Sequence, residues 1–385
     1  MKKVTVLGST GSVGLNTLKV TEKMSHEFSV LGLAAGRNVD LIQEQIMKFS
    51  PGIVSVEREE DAEYLRKKYK NKKIRIVYGQ SGAEEVACFG KDDTIVSAIT
   101  GIAGLKPTLA AIKCGKKVAL ANKESMVVGG ELINSMAAQS GAQLIPVDSE
   151  HSGIFQCLAK EKNENVRKVI LTASGGPFFN SSIEDMKNKS LEDVLKHPRW
   201  KMGKKVTVDS ATLMNKGFEL IEAHWLFNLP PWKLDVLIHP QSIVHSLVEL
   251  LDGSVLAQLS LTDMKIPIQY ALTYPERKNS MIGYLDLKAI GELNFYEVDE
   301  KKFPLFKLAR DVLEERKSYP VALNASNEVA VFAFLEKKIK FLDISHIVFH
   351  IVEKHEKRDV KSLDDIININ RETKIKTQKF IGKRF

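Results

Sequence analysis

Val4-Thr5-Val6-Leu7-Gly8-Ser9-Thr10-Gly11-Ser12-Val13-Gly14 stands near the N-terminus of this chain. A short β-rich run ends at Gly8, and a helix opens across the next two glycines. Glycines let the backbone turn tightly and approach a pyrophosphate. The N–H groups and dipole at the start of the helix favour the anion. The spacing is GxxGxxG, not the usual GxGxxG, and it also suits a strand-to-helix turn with no ligand.

Beyond this loop, β-rich runs at 4–7, 28–34, 53–56, 94–98, 117–120 and 142–146 alternate with helical patterns such as 40–49 and 106–114. Such alternation implies a parallel sheet covered on both faces, so residues 1–150 read as a Rossmann-like α/β domain. Residues 151–273 are mixed, with strands expected at 169–172, 236–239, 243–249 and 253–260. The last two flank an Asp252-Gly253 hairpin turn. This part reads as an α+β catalytic domain with a polar lid over 178–205. Residues 274–300 read as a linker and 301–385 as a C-terminal α-helical domain, with helices at 306–315, 322–336 and 344–356. The lysine-rich tail after Arg371 reads as a solvated end.

The 385 residues are enough for two or three domains at about 100–200 residues each. A composition 44% hydrophobic and 27% charged excludes disorder and collagen-like repeats. Lys and Arg outnumber Asp and Glu by 56 to 48, a surplus of +8. Such a surplus suits nucleic acid, an anionic membrane or small phosphorylated molecules. Lysines scattered among acids, with 7% aromatics, give no nucleic-acid stripe. No run of 18 apolar residues spans a membrane, and the apolar run ending at Gly8 is too short for a signal peptide. Three separated cysteines, Cys88, Cys114 and Cys157, support neither a disulfide framework nor a zinc site. A cytoplasmic protein is expected.

Ala35-Gly36-Arg37-Asn38 closes the second strand without the acid that NAD-binding folds place there for a ribose hydroxyl. Arg37 can pair with a 2′-phosphate, and Asn38 can cap the next helix and donate to the same group. This favours NADP over NAD, the alternative being a plain surface arginine. In Pro146-Val147-Asp148-Ser149-Glu150-His151, Asp148 and Glu150 would share one face of a strand. A third acid, Glu219, follows Asn215 at i,i+4 on a helix capped by Asp209 or Ser210. Together these carboxylates make a hard oxygen site suited to Mg²⁺ or Mn²⁺, though spacing alone also fits a solvated acidic face. His346 and His350, at i,i+4, would suit zinc less well than an ordinary amphipathic helix.

Ser174-Gly175-Gly176 frees donors for an anion, and Ser210, Asn215 and Lys216 add more. His197-Pro198-Arg199-Trp200-Lys201-Met202-Gly203 puts a tryptophan in a polar stretch. It reads either as a lid over substrate or as a surface excursion. Lys123, after the strand at 117–120, can polarise a substrate oxygen.

Taken in order, these motifs, with Ile238 to Glu249 and Asp252 to Leu259, closely resemble the 1-deoxy-D-xylulose 5-phosphate reductoisomerase family, from Lys3 to about Glu336. The resemblance implies NADPH, a divalent cation (Mn²⁺, Mg²⁺ or Co²⁺) and a homodimer. It also implies rearrangement and reduction of that sugar phosphate to 2-C-methyl-D-erythritol 4-phosphate in the non-mevalonate isoprenoid pathway. Asp148, Glu150 and Glu219 would ligate the metal. Ser149, Glu150 and Lys123 would touch substrate hydroxyl and carbonyl groups. Ser174, Ser210, Asn215 and Lys216 would hold its phosphate, with His197 and Trp200 closing over it. Thr10, Gly11, Ser12, Val13, Gly36, Arg37, Asn38, Asn122, Glu124 and Gly203 would contact the cofactor. Thr100 to Gly104 has no firm match. The rival reading is a dehydrogenase of a phosphorylated sugar that does not isomerise.

Overall fold

A computed structural model describes residues 1–91, 93–200 and 202–384. The first β-rich run becomes β1 (Lys2–Leu7), and its apolar side chains are fully buried. Six more strands join it: β2 (Phe28–Ala34), β3 (Ile53–Val56), β4 (Arg75–Tyr78), β5 (Thr94–Ser97), β6 (Lys117–Leu120) and β7 (Gln143–Pro146). All pair in parallel, in the order β4-β3-β2-β1-β5-β6-β7. Continuous apolar runs are expected of strands covered on both faces, and β3 and β5 are buried at every residue. From β1 the chain winds outward one way through β2 and the other way beyond β5. The switch point of a doubly wound sheet therefore lies between β1 and β5.

The α/β expectation holds, and β2, β3 and β6 match it residue for residue. Missing from the sequence reading are β4 and its flanking helices Glu59–Lys68 and Gly79–Cys88. β4 is a four-residue edge strand beginning on Arg75, after a lysine-rich turn, and offers little apolar contrast.

The second sheet holds β8 (Val166–Ala173), β9 (Leu234–Ile238), β10 (Val244–Leu250) and β11 (Val255–Leu259) in the order β11-β10-β8-β9. Only β8 and β9 pair in parallel. The β10–β11 hairpin turns at Asp252-Gly253, where Gly253 has φ +88° and the Leu250 amide donates to the Ser254 carbonyl at 2.8 Å.

Packing divides the chain into two units. The first comprises Met1–Ser125, Ile133–Ser152 and Asp263–Tyr284; the second comprises Met126–Leu132, Gly153–Thr262 and Leu285–Phe385. This division differs from the expected 1–150, 151–273 and 301–385. Helix Lys265–Thr273 packs on Ser12–Lys23 in the first unit, while helices Pro304–Glu315, Tyr319–Leu335, Asp343–Glu353 and Leu363–Arg384 belong to the second. Residues 274–300, read as a linker, contain a one-turn helix, Leu287–Ile290, and a bridge from Tyr296 to Ile238.

Two expectations need correction. The lysine-rich tail is a 22-residue helix, Leu363–Arg384, packed on Tyr319–Leu335 through a stripe that includes Ile366, Ile369, Thr373 and Thr377. Its C-terminal half carries threonines on the buried face, so hydropathy does not reveal it. Cys88 and Cys114 are paired as a disulfide, with Cα atoms 6.1 Å apart, because helices Gly79–Cys88 and Leu105–Lys113 pack with these ends adjacent. Cys157 is free. On Asp343–Glu353, His350 stacks on Phe380 at 4.0 Å, and His346, one turn earlier, also lies beside that ring.

Candidate active site

The first unit gathers its candidate residues along the carboxyl edge of the parallel sheet. Gly8 follows β1 with φ +89°, and a Cβ there would lie 2.5 Å from the Ala98 carbonyl after β5. Only glycine fits, so the loop is pressed into the switch point. A Cβ on Gly14 would run into the Gly8 carbonyl. Gly11 is the N-cap of helix Ser12–Lys23 and supplies no side-chain cap. The first-turn amides, with Thr10, Ser12 and Val13 beside them, suit a pyrophosphate.

Arg37, after β2, is exposed. Its Nε and Nη2 both reach Glu57 Oε1, at 3.0 and 2.8 Å. That acid, at the end of β3, holds the guanidinium out beside Gly36. It also raises the arginine pKa, through the hydrogen bond first and charge second. Asn38 caps Val39–Phe49, accepting from the Leu41 amide at 3.1 Å, as its position predicts. Asn122 caps helix Lys123–Ser140 through the Ser125 amide at 2.7 Å. Its Nδ2 donates to the Ile99 carbonyl and, at 2.9 Å, to that of Gly101. Asn122 thus latches the 100–104 run, whose role the sequence leaves open, to the end of β6. Glu124 lies buried in the first turn of the same helix.

β6 and β7 are neighbours, so the segments that follow them meet. Lys123 Nζ reaches Asp148 Oδ2 at 2.6 Å, with both side chains largely buried. Ser149 Oγ donates to Glu150 Oε2 at 2.7 Å. Asp148 and Glu150 do not share a strand face, as their spacing had suggested. β7 ends at Pro146, and helix Ser149–Cys157 has already begun, placing Glu150 in its first turn.

The second unit holds the other candidates. His197 Nε2 lies 3.0 Å from Ser174 Oγ and 3.1 Å from Ser210 Oγ. Its Nδ1 accepts the backbone amides of Arg199 at 3.2 Å and Trp200 at 2.9 Å. Burial pushes the imidazole pKa down to about 4, so the ring is neutral at pH 7. A neutral ring that accepts at Nδ1 carries its proton at Nε2. That proton serves the two serine oxygens, and Ser174 Oγ also accepts the Gly176 amide at 3.2 Å. The hydroxyl hydrogens are then available to donate, the arrangement an anion requires. Gly176, at φ +65°, lets the loop pass against Ser210, whose carbonyl would sit 2.7 Å from any Cβ.

Asp209 and Ser210 do not cap a helix. They close helix Lys204–Ala211, and Met214–Phe227 begins after Leu213 turns left-handed at φ +60°. On the second helix, Asn215 Nδ2 donates to Glu219 Oε1 at 2.5 Å, and Lys216 pairs with the same carboxylate in a buried setting. Two candidate phosphate donors therefore bracket the candidate metal ligand. Within the polar stretch, short helices Ile183–Lys187 and Leu191–Val194 each start with a serine capping box. Trp200 is half-buried with its ring 6.4 Å from that of His245. Gly203 caps Lys204–Ala211, and Lys201 lies outside the described residues.

The sequence reading missed His245 as a neighbour of Trp200 and Glu57 as the partner of Arg37. His245 lies in a stretch already singled out, at 238–249, but nothing local assigns it a role. Glu57 has a signal of its own, as the acid that follows the third strand.

A doubly wound sheet with a glycine turn at its switch point is the fold of a dinucleotide-binding protein. Three family profiles match in succession: 1-deoxy-D-xylulose 5-phosphate reductoisomerase over residues 4–130, its C-terminal domain over 144–227, and the DXP reductoisomerase C-terminal domain over 259–376. The reductoisomerase of Chlorobium limicola is 50% identical over 99% of this chain and 100% of its own length. That of Chlorobaculum tepidum is 47% identical over the same shares. A crystal structure of DOX-P reductoisomerase with NADPH, fosmidomycin and magnesium superposes with a TM-score of 0.94 at 38% identity, covering 99% of this chain and 98% of the other. The Zymomonas mobilis enzyme with NADPH gives 0.92 at 39% identity, covering 99% of both chains. The chain belongs to the 1-deoxy-D-xylulose 5-phosphate reductoisomerase family, and is an NADPH-dependent oxidoreductase with isomerase activity.

Proposed function

We propose that this chain rearranges 1-deoxy-D-xylulose 5-phosphate and reduces it to 2-C-methyl-D-erythritol 4-phosphate, with the residues in the following roles. The observation that carries the reading is the neutral His197 that donates to Ser174 and Ser210. It leaves two hydroxyl donors for a dianion far from the reacting carbons. Asn215 and Lys216 complete that pocket. Phosphate contacts orient the substrate and supply binding energy remote from the chemistry.

Asp148, Glu150 and Glu219 are the metal ligands. Their donor set fits the ion, because carboxylate oxygens suit a hard divalent cation. Two of the three carry a lysine counter-ion, Lys123 on Asp148 and Lys216 on Glu219. The glycine turn fits NADPH, since Gly8 and Gly14 let the loop pack too tightly for any Cβ and leave the uncapped amides at the start of Ser12–Lys23 for a pyrophosphate. When bound, the cation acts as a Lewis acid on the hydroxy-ketone oxygens, and NADPH supplies the hydride. Lys123 and Ser149 orient the substrate's oxygens. Glu150 stands where it can move a proton, and Ser149 holds it through Oε2. Arg37 takes the 2′-phosphate, with Asn38, Gly36, Asn122, Glu124 and Gly203 at other cofactor positions. Trp200 covers the bound substrate.

The enzyme is a cytoplasmic homodimer. Supporting the dimer is the outer edge of the second sheet, where β11 has no further neighbour and Val255, Leu256 and the adjacent Leu251 are 52%, 38% and 68% exposed. Among the described residues, no helix is long and apolar enough to cross a membrane. The activity is tested by following NADPH loss with deoxyxylulose phosphate and Mn²⁺ and identifying the product by NMR. A branched polyol phosphate is expected. An unbranched one would mean reduction without rearrangement.

A further inference from the structure

The phosphate pocket rests on helix Lys204–Ala211, and one residue far along the chain fixes that helix. Asp209, immediately before Ser210, is 1% exposed. Its Oδ2 pairs with Lys205 Nζ at 2.8 Å, one turn back on the same helix. Its Oδ1 accepts from Asn327 Nδ2, also at 2.8 Å. Asn327 lies on helix Tyr319–Leu335, more than a hundred residues away in sequence, and is fully buried. Among the described residues its amide makes no other side-chain hydrogen bond, and its Oδ1 has no partner. A buried amide that spends its one bond on a neighbouring carboxylate is costly unless that bond is needed.

We propose that Asn327 is a positioning residue for substrate phosphate: through Asp209 it sets the rotation and height of Lys204–Ala211, and so the place of the Ser210 hydroxyl. The geometry leaves Ser210 little slack. Its carbonyl side is packed by Gly176, and its Oγ must stay 3.1 Å from His197 Nε2 to keep the shared proton. A small turn of the helix would break that bond and misdirect the hydroxyl. This inference rests on reading Ser210 as a phosphate ligand.

The test uses the full-length enzyme with NADPH and Mg²⁺, and takes inorganic phosphate as the competing probe. In N327A, the substrate KM and the phosphate Ki should both rise about tenfold, the scale of one charge-assisted hydrogen bond. The NADPH KM should stay within about twofold. The exchange D209N/N327D rebuilds the bond with donor and acceptor reversed, and should recover most of the phosphate affinity. N327S keeps a shorter donor, should give the same pattern at smaller amplitude, and replaces the alanine variant if that one does not fold. An unchanged phosphate Ki overturns the proposal. So does an equal rise in phosphate Ki and NADPH KM, which marks a general structural role. S210A separates the two levels. If it leaves phosphate Ki at the wild-type value, the phosphate reading of Ser210 fails and takes this proposal with it. If S210A weakens phosphate and N327A does not, the positioning role alone fails.

Discussion

The dinucleotide cradle and the phosphate pocket both bind anions by our reading, but they are built from different materials. The cradle is mostly backbone. Gly8, the uncapped turn after Gly11, and the caps Asn38 and Asn122 all shape main chain, although Gly8 also packs on Ala98 and Asn122 also reaches the carbonyls of Ile99 and Gly101. The pocket is mostly side chain. Ser174, His197 and Ser210 come from three separate segments and are joined by one imidazole. A backbone site depends on local turns and tolerates many neighbours. A side-chain site depends on the tertiary structure holding several elements in register.

The largest effect is expected from removing either of two proposed metal ligands, one in each packing unit. Asp148→Asn and Glu219→Gln should each lower kcat by about a thousandfold, with unchanged circular dichroism. If either variant keeps near-wild-type turnover at saturating Mn²⁺, that carboxylate is not a ligand. Next in size is Arg37→Asp. Reversing the charge should cut the preference for NADPH over NADH about thirtyfold, measured as the ratio of kcat/KM values. An unmoved ratio would show that the 2′-phosphate is read elsewhere in the cradle. Trp200→Ala should raise the substrate KM about fivefold and spare the NADPH KM, confining its role to the pocket. Equal shifts in both would contradict that.

The smallest effect concerns acid. The pKa of His197 is about 4 in the fold against an ordinary 6.5. Between those values the unfolded chain binds a proton that the native chain does not, so stability falls as pH drops from 6.5 towards 4. Above 6.5 this group contributes no slope. Thermal unfolding of His197→Gln followed against pH should show a shallower acid decline than the wild type.

The same contrast explains what the sequence made legible. β2, β3 and β6 appear as short, mostly apolar β-rich runs, and the cap at Asn38 follows from its place after the second strand. Ser174, Ser210, Asn215 and Lys216 were identifiable as anion donors from their chemistry, but only likeness to a family joined them with His197 in one pocket. No local rule brings residue 197 to residues 174 and 210. Local rules failed where a chain feature ended early. Pro146 closes β7 four residues sooner than the Asp148–Glu150 pairing requires, and left-handed Leu213 starts Met214–Phe227 later than the cap at Asp209 or Ser210 implied. β4 was lost because a short edge strand after a lysine-rich turn has no contrast. Asn327 was invisible, since its meaning lies wholly in a partner more than a hundred residues away.

The cysteine pair bears on how the enzyme can be watched at work. With Cys88 and Cys114 joined, the only thiol left is Cys157, and burial pushes its pKa up, so little thiolate forms at neutral pH. A maleimide dye therefore finds almost nothing to attach to in the oxidised protein. Cleaving the bridge exposes Cys114 on the surface at the end of the helix that leads into β6. The extent of labelling then reports the oxidation state of the cofactor-binding unit without any assay of turnover.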